Sequence, residues 1–179
     1  MIRPLFFGLA AGMGLALSAP LVAQALANHS TNAPVDVEAD RIEVQDRADR
    51  AIFSGNVRVK QGNLNLDAAR LTVAYSTAGS GVDIERLDAA GGVTVRSPSE
   101  TARGQFAVYD LNRRLITMIG GVTLEQGSNT VRGGRLVINL DTGRAVVDGS
   151  AVGGAPGAAS SGRGGRVTGR FTVPQRKSN

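Results

Sequence analysis

From Ala33 onward the chain alternates polar and apolar residues with a period of two. Asp40-Arg41-Ile42-Glu43-Val44-Gln45 alternates, as do Val57-Arg58-Val59-Lys60, Leu64-Asn65-Leu66, Val93-Thr94-Val95-Arg96 and Val122-Thr123-Leu124-Glu125. Leu136-Val137-Ile138-Asn139-Leu140 keeps one face apolar throughout. Such alternation predicts strands with one buried and one wet face. Beyond residue 33, no segment of ten or more residues carries a helical stripe.

Strong breakers interrupt the pattern: Gly55-Asn56, Gly62-Asn63, Gly79-Ser80-Gly81, Gly91-Gly92, Asn112, Gly120-Gly121, Gly127-Ser128-Asn129, Gly133-Gly134 and Thr142-Gly143. Read as turns, they separate many short strands, the signature of an all-β sandwich, roll or barrel. The strands also repeat. Gly55-Asn56-Val57-Arg58-Val59, Gly91-Gly92-Val93-Thr94-Val95 and Gly120-Gly121-Val122-Thr123-Leu124 are versions of one phrase, with Gly149-Ser150-Ala151-Val152 as a decayed fourth. Their spacings are 36, 29 and 29 residues. A second phrase runs in step through Ala39-Asp40-Arg41-Ile42, Ala68-Ala69-Arg70-Leu71, Arg103-Gly104-Gln105-Phe106 and Gly133-Gly134-Arg135-Leu136, spaced 29, 35 and 30. One insertion, around Thr77–Asp83 or Ser97–Thr101, accounts for the long interval in each series. A period of this size means stacked supersecondary units. The expected architecture is a stack of short antiparallel strands folded over on itself, with one apolar face lining the inside.

The expected inward residues are Ile42, Val44, Phe53, Val57, Val59, Leu64, Leu66, Leu71, Val73, Val93, Val95, Phe106, Val108, Val122, Leu124, Leu136 and Ile138. They form either a closed core or the wall of an incompletely closed roll. Apolar residues make up 42% of the chain but aromatics only 4%, without Trp, so the interior is aliphatic. Aliphatic walls suit acyl chains. At about 0.8 kcal/mol per buried methylene, one long chain contributes on the order of 10 kcal/mol. The first and last strands of a roll also leave backbone groups unpaired, which allows head-to-tail pairing with copies or with a similar domain.

Charge sorts by region. The net charge of +5 belongs to the end of the chain: residues 153–179 hold Arg163, Arg166, Arg170, Arg176 and Lys177 and no acid. Residues 28–152 carry 14 basic and 15 acidic residues, so the basic total does not mark a nucleic-acid-binding fold. The Gly/Ala/Ser/Arg-rich tail over 153–179 is expected to be largely disordered. It either solubilises the chain or contacts anionic headgroups. Val167–Val173 alternates again, which allows a late edge strand that covers or extends the C-terminal edge.

The first 27 residues read as a cleaved export signal. Arg3 supplies a positive start, Leu5–Leu17 is an apolar run of 13 residues, and Ala25-Leu26-Ala27 fits a cleavage pattern. A retained anchor is the alternative. Without Cys, disulfides, thiolate metal sites and cysteine nucleophiles are excluded. His29 is the only histidine and lies beside the expected cleavage point, which leaves no His triad or His metal site in the body. Two acidic groups, Asp36/Glu38/Asp40/Glu43 and Asp83/Glu85/Asp88, fall on the wet side of the alternation and read as solvated strand faces rather than a cation or acid–base site. No Gly-x4-Gly-Lys-Ser/Thr loop is present. An enzyme is not expected, nor any cofactor or metal.

The stretch Val35–Tyr75 resembles the OstA-like (LptA-like) periplasmic bridge proteins of lipopolysaccharide transport. The resemblance rests on Ala39-Asp40-Arg41-Ile42, Phe53-Ser54-Gly55-Asn56-Val57, Gln61-Gly62 and Ala68-Ala69-Arg70-Leu71-Thr72-Val73-Ala74-Tyr75. It continues through Ala107-Val108-Tyr109-Asp110, Gly120-Gly121-Val122-Thr123-Leu124 and Gln126-Gly127, covering about residues 33–150. Gly91-Gly92 and Gly120-Gly121 depart from the Gly-Asn or Gly-Asp of many relatives, and the tail lies outside the pattern. The resemblance implies a slightly twisted β-jellyroll, V-shaped in section, over residues 28–152. It also implies a ligand, lipopolysaccharide held by its lipid A acyl chains, and a periplasmic location. Implied partners are an inner-membrane anchor protein, an outer-membrane translocon and further copies, joined edge to edge. Two other readings stay open: the membrane-anchored partner of the same pathway, and a β-edge assembly protein with a closed core and no lipid.

Overall fold

The computed structural model describes residues 30–77, 81–149 and 166–172. The expected signal segment and most of the expected disordered tail lie outside these residues. The described chain is all-β apart from one 3-10 turn, Asp46–Ala48. Its strands are β1 (Val35–Glu38), β2 (Arg41–Gln45), β3 (Arg50–Gln61), β4 (Leu64–Ser76), β5 (Asp83–Arg96), β6 (Glu100–Asp110), β7 (Leu115–Gln126), β8 (Asn129–Asn139), β9 (Arg144–Asp148) and β10 (Thr168–Arg170). All belong to one antiparallel sheet ordered β1-β3-β4-β5-β6-β7-β8-β10, with β2 also on β3 and β9 also on β8.

The strands are longer than the breakers imply, and the reason is physical. Gly62-Asn63 and Gly127-Ser128 do turn the chain. Gly55-Asn56, Gly91-Gly92, Gly120-Gly121 and Gly133-Gly134 instead lie inside β3, β5, β7 and β8. The pairing register shifts at Ser54/Val57, Asp67/Arg70, Ala90/Val93, Arg103/Phe106 and Ile119/Val122. These are β-bulges, which bend a strand without ending it. Aligned across the sheet, they form a corner that divides it into two arms. The first arm holds residues 57–68, 93–104 and 122–133; the second holds 50–54, 70–76, 83–90, 106–119 and 135–139. Both repeated phrases therefore mark the corner, on odd and even strands respectively. The longer interval of each series contains the 77–82 connection between β4 and β5, which places the insertion there.

The corner brings backbones into close approach. A Cβ on Gly91 would stand 2.7 Å from the Ala69 Cβ, and one on Gly120 would stand 2.7 Å from the Gln105 Cβ. Both glycines also take positive φ, +86 and +88, where L side chains are strained.

Side chains from the two arms bury one another in a single core. Val57, Leu66, Val95 and Val122 come from the first arm; Leu71, Leu87, Ile116, Met118, Leu136 and Ile138 come from the second. At the edges, β1 lies on the first arm and β2 on the second, joined at Asp40, whose N–H donates to the Gly55 carbonyl over 2.9 Å. On the opposite edge β10 lies on the first arm and β9 on the second.

Candidate functional site

The candidate site is the inner face, which the register resolves into rows. One row runs Ile42–Phe53–Leu71–Ala89–Ala107–Met118–Leu136–Val147. A second runs Val44–Ala51–Val73–Leu87–Tyr109–Ile116–Ile138–Ala145. On the first arm a third runs Val37–Val59–Leu66–Val95–Ala102–Leu124–Val131–Gly169. Each crosses the whole sheet from one edge to the other. Tyr109 supplies the only hydroxyl in these rows, and the remaining side chains are hydrocarbon apart from the Met118 thioether.

Most of the residues expected inside lie there. Val57, Val59, Leu64, Leu66, Leu71, Val73, Val93, Val95, Val122, Leu124, Leu136 and Ile138 are buried, and Phe53 packs partly buried against them. Ile42 and Val44 differ. Their pairing with Phe53 and Ala51 puts them on the inner face, but β2 is the last strand, and they stand 54% and 60% exposed. Phe106 and Val108 are corrected outright. They point outward, at 51% and 38% exposure. Ala102 and Gly104 face inward, and unbroken alternation would carry 106 and 108 inward with them. The bulge at Arg103/Phe106 slips the pleat by one residue, and a one-residue slip exchanges the faces. Ala107 and Tyr109 fill the places instead. The alternation also left Leu87, Ala89, Ile116 and Met118 unassigned, all of them buried.

Polar groups inside are few and bonded. The Tyr109 hydroxyl donates to Gln61 Oε1 over 3.0 Å, which joins the second arm to the first. Gln61 Nε2 donates to the Thr31 and Ala33 carbonyls at 3.0 and 3.1 Å, fastening the segment ahead of β1 to the same point. Burial pushes the Tyr109 hydroxyl up to about 12, against opposing effects of the Arg114 charge and the Gln61 hydrogen bond. The unfolded state therefore ionises first as pH rises. The stability tied to neutral Tyr109 is complete below pH 10 and is lost between 10 and about 12. Tyr109→Phe should lower stability at pH 8 by about 1 kcal/mol and flatten this alkaline decline. Urea unfolding at pH 8 and at pH 11 tests it; an equally steep decline in the variant would assign it to other groups.

Beneath this bond lies a residual cavity of about 10 Å³, lined by Val59, Gln61, Leu64, Leu66, Leu87, Tyr109 and Ile116. That is roughly the space of one water, so side chains of the two arms fill the interior here. The acidic groups sit on the outer face or rim. Asp36 and Glu38 lie opposite Lys60 and Arg58 in register. Asp88 meets Arg86 at 2.9 Å. Among the described residues, no three acids or histidines group closely enough to hold a metal ion.

A single antiparallel sheet, bent at a line of bulges, apolar within and with two strand edges left unclosed, defines an open-edged β-jellyroll. The solved structure of LptH, the LptA-homologous periplasmic component of the lipopolysaccharide transport device of Pseudomonas aeruginosa, has this fold. It superposes with a TM-score of 0.64 at 20% identity, covering 79% of this chain and 96% of that one. Residues 36–144 match the LptA/(LptD N-terminal domain) LPS transport protein family, and the chain belongs to it. An uncharacterized protein of Rhizobium meliloti (strain 1021), R00383, is 32% identical over 151 residues, 77% of this chain and 81% of that protein.

Proposed function

We propose that this protein is a bridge component of lipopolysaccharide transport that takes lipid A acyl chains against its inner face. It hands them on to partners joined edge to edge. The observation that carries this reading is the set of apolar rows running unbroken from edge to edge. At the β2 edge they emerge with Ile42 and Val44 more than half exposed. Apolar side chains left in water at the end of a continuous apolar track favour a hydrocarbon partner. Because the arms fill the interior beneath the Tyr109–Gln61 bond, an acyl chain enters where they part, replacing protein–protein contact with protein–lipid contact of the same kind. Such an exchange is close to neutral in free energy, which suits a carrier that must also release. The chain works by binding and not by catalysis. Residues 1–27 serve as a cleaved export signal, so the protein acts in the periplasm between an inner-membrane anchor protein and an outer-membrane translocon.

The small cavity beneath the Tyr109–Gln61 bond, about 10 Å³, favours a second reading, a β-edge assembly protein with a closed core and no lipid. One experiment separates the two. A photo-reactive residue is placed at Ile42, Val44, Phe53 or Val37 on the inner face, and at Phe106 or Arg58 on the outer face. Lipopolysaccharide adducts in cells are expected at the inner positions only. Phe106 is the stringent control, because it is apolar and exposed but faces away. Adducts at Phe106 as strong as at Phe53, or none at any inner position, would overturn the transport reading.

A further inference from the structure

The inner face of the first arm changes character at its far end, away from the corner. The row from Val37 to Gly169 carries only hydrocarbon side chains. Two residues further along the strands, still on the inner face, stand Gln61, Ser97, Glu100, Gln126 and Asn129, with Val35 and Leu64 the apolar members of the same row. The second arm ends differently. At its far end Ile84, Leu111 and Leu140 pack on or within the core. We infer that the polar row is a recognition strip for the neutral groups that head an acyl chain, its ester or amide carbonyls and its hydroxyls, with Glu100, Gln126 and Asn129 as the residues that take them. This rests on the acyl-binding reading above and adds to it the linkage chemistry that is recognised and the arm against which the lipid's head lies.

Burial and bonding hold the strip in place. Gln61 and Glu100 are 3% and 5% exposed, and Gln126 and Asn129 are half-buried. Gln126 Nε2 donates to Glu100 Oε1 over 3.0 Å, from β7 to β6. Glu100 is fixed in turn by the connection from β5, where its N–H donates to Ser97 Oγ over 3.1 Å and its carbonyl accepts from the Ser97 N–H over 2.9 Å. Asn129 Oδ1 accepts from the Thr172 N–H over 3.0 Å. Gln61 is a point where the two arms touch, through the Tyr109 hydroxyl. Hydrocarbon at positions 100, 126 and 129 would extend the core and join the arms at least as well, because a buried polar pair adds little net stability over apolar groups of the same shape. Hydrogen-bonding groups placed there match something other than the opposite arm.

The layering is that of an acyl amphiphile. Hydrocarbon lies toward the corner and neutral donors and acceptors come next. The charges stay on the outer face in ion pairs, Arg96 with Asp67 and Arg103 with Glu125. No cation stands in the polar row, so it suits carbonyls and hydroxyls rather than phosphate. The amides of Gln126 and Asn129 can donate to a carbonyl, and the Glu100 carboxylate can accept from a hydroxyl or an amide N–H. A carbonyl drawn out of water without a partner is costly. Against the side chains of Leu111 and Leu140 it finds no partner; against Gln126 and Asn129 it finds one. Neighbouring strands set the side chains of a row about 4.8 Å apart, an interval at which parallel acyl chains also pack. Each chain of a multi-chain lipid therefore meets a polar residue of its own.

Two ligands of equal chain length separate linkage from hydrocarbon: lipid A, and a synthetic analogue in which alkyl ethers replace its acyl esters. Binding of each to the full chain is measured by titration calorimetry. The unaltered chain should bind the ester lipid about tenfold more tightly, the equivalent of about 1.4 kcal/mol. Gln126→Leu, close in size, should bring the two affinities within about twofold of each other. It should do so by weakening ester binding and leaving ether binding unchanged, a split that a misfolded variant would not show. Asn129→Leu should reduce the preference likewise, and it decides the matter if Gln126→Leu does not fold. Thr130→Leu, beside Asn129 but on the outer face, should keep the preference. Equal affinities in the unaltered chain, or a preference that survives in the folded variants, would overturn the strip and leave acyl binding standing. Absence of binding by either ligand would overturn the acyl-binding reading itself, and the strip with it.

Discussion

Replacing Leu71 by alanine should lower the unfolding free energy by about 2–5 kcal/mol, whereas Phe106→Ala should leave it within about 0.5 kcal/mol. Leu71 is fully buried, between Phe53 and Ala89 in the apolar row that runs from Ile42 to Val147. Truncating it removes transfer energy and leaves a cavity that the neighbouring strands cannot close without moving. Phe106 is the larger side chain, and on size alone it should matter more. Its ring is half in water on the outer face, where its register neighbours are Ala90 and Ile119. Against a total stability of about 5–15 kcal/mol, the Leu71 variant sits near the edge of folding and the Phe106 variant does not. Urea unfolding of both chains reads the contrast. A larger loss for Phe106 would mean that the pleat of β6 does not slip at its bulge.

That contrast also shows how far residue pattern reaches. The class, the strands, the repeat and most of the inner face follow from alternation alone, because a half-buried strand has to alternate. Alternation fails at bulges, where the period of two is locally broken. In β4 and β8 the slip is visible in the residues themselves, since Leu71, Val73, Leu136 and Ile138 are large and apolar on the new phase. In β6 the new phase starts with Ala107 while the outgoing phase continues with Phe106 and Val108, so composition points to the wrong face. The glycine pairs mislead for a related reason. The same backbone freedom that makes a turn makes a bulge, and only the pairing partners tell the two apart. The edge exposure of Ile42 and Val44, and the union of β10 with β8 across some thirty residues, are tertiary facts with no local signature beyond the weak alternation at Val167.

Gly120→Ala should cost about 3 kcal/mol, and Gly121→Ala, its immediate neighbour, only about 1 kcal/mol. Both have positive φ, +88 and +66, and both variants bear the strain of a non-glycine residue there, about 1 kcal/mol or more. They differ in space. A Cβ on Gly121 meets nothing within 4 Å, whereas one on Gly120 would stand 2.7 Å from the Gln105 Cβ and 2.9 Å from its Cγ. The Cβ belongs to β6 at its own bulge and cannot rotate away, so relief requires the two strands to separate at the corner. Overpacking of that kind costs about 1–3 kcal/mol. A double-mutant cycle with Gln105→Gly isolates the clash: the pair should recover about 1–2 kcal/mol of the Gly120→Ala loss and none of the Gly121→Ala loss. Equal costs for the two alanines, or no coupling to Gln105, would mean that close approach across the corner does not hold the bend. Coupling would establish that the repeated glycine phrase fixes the angle between the arms, and with it how closely their apolar rows face each other.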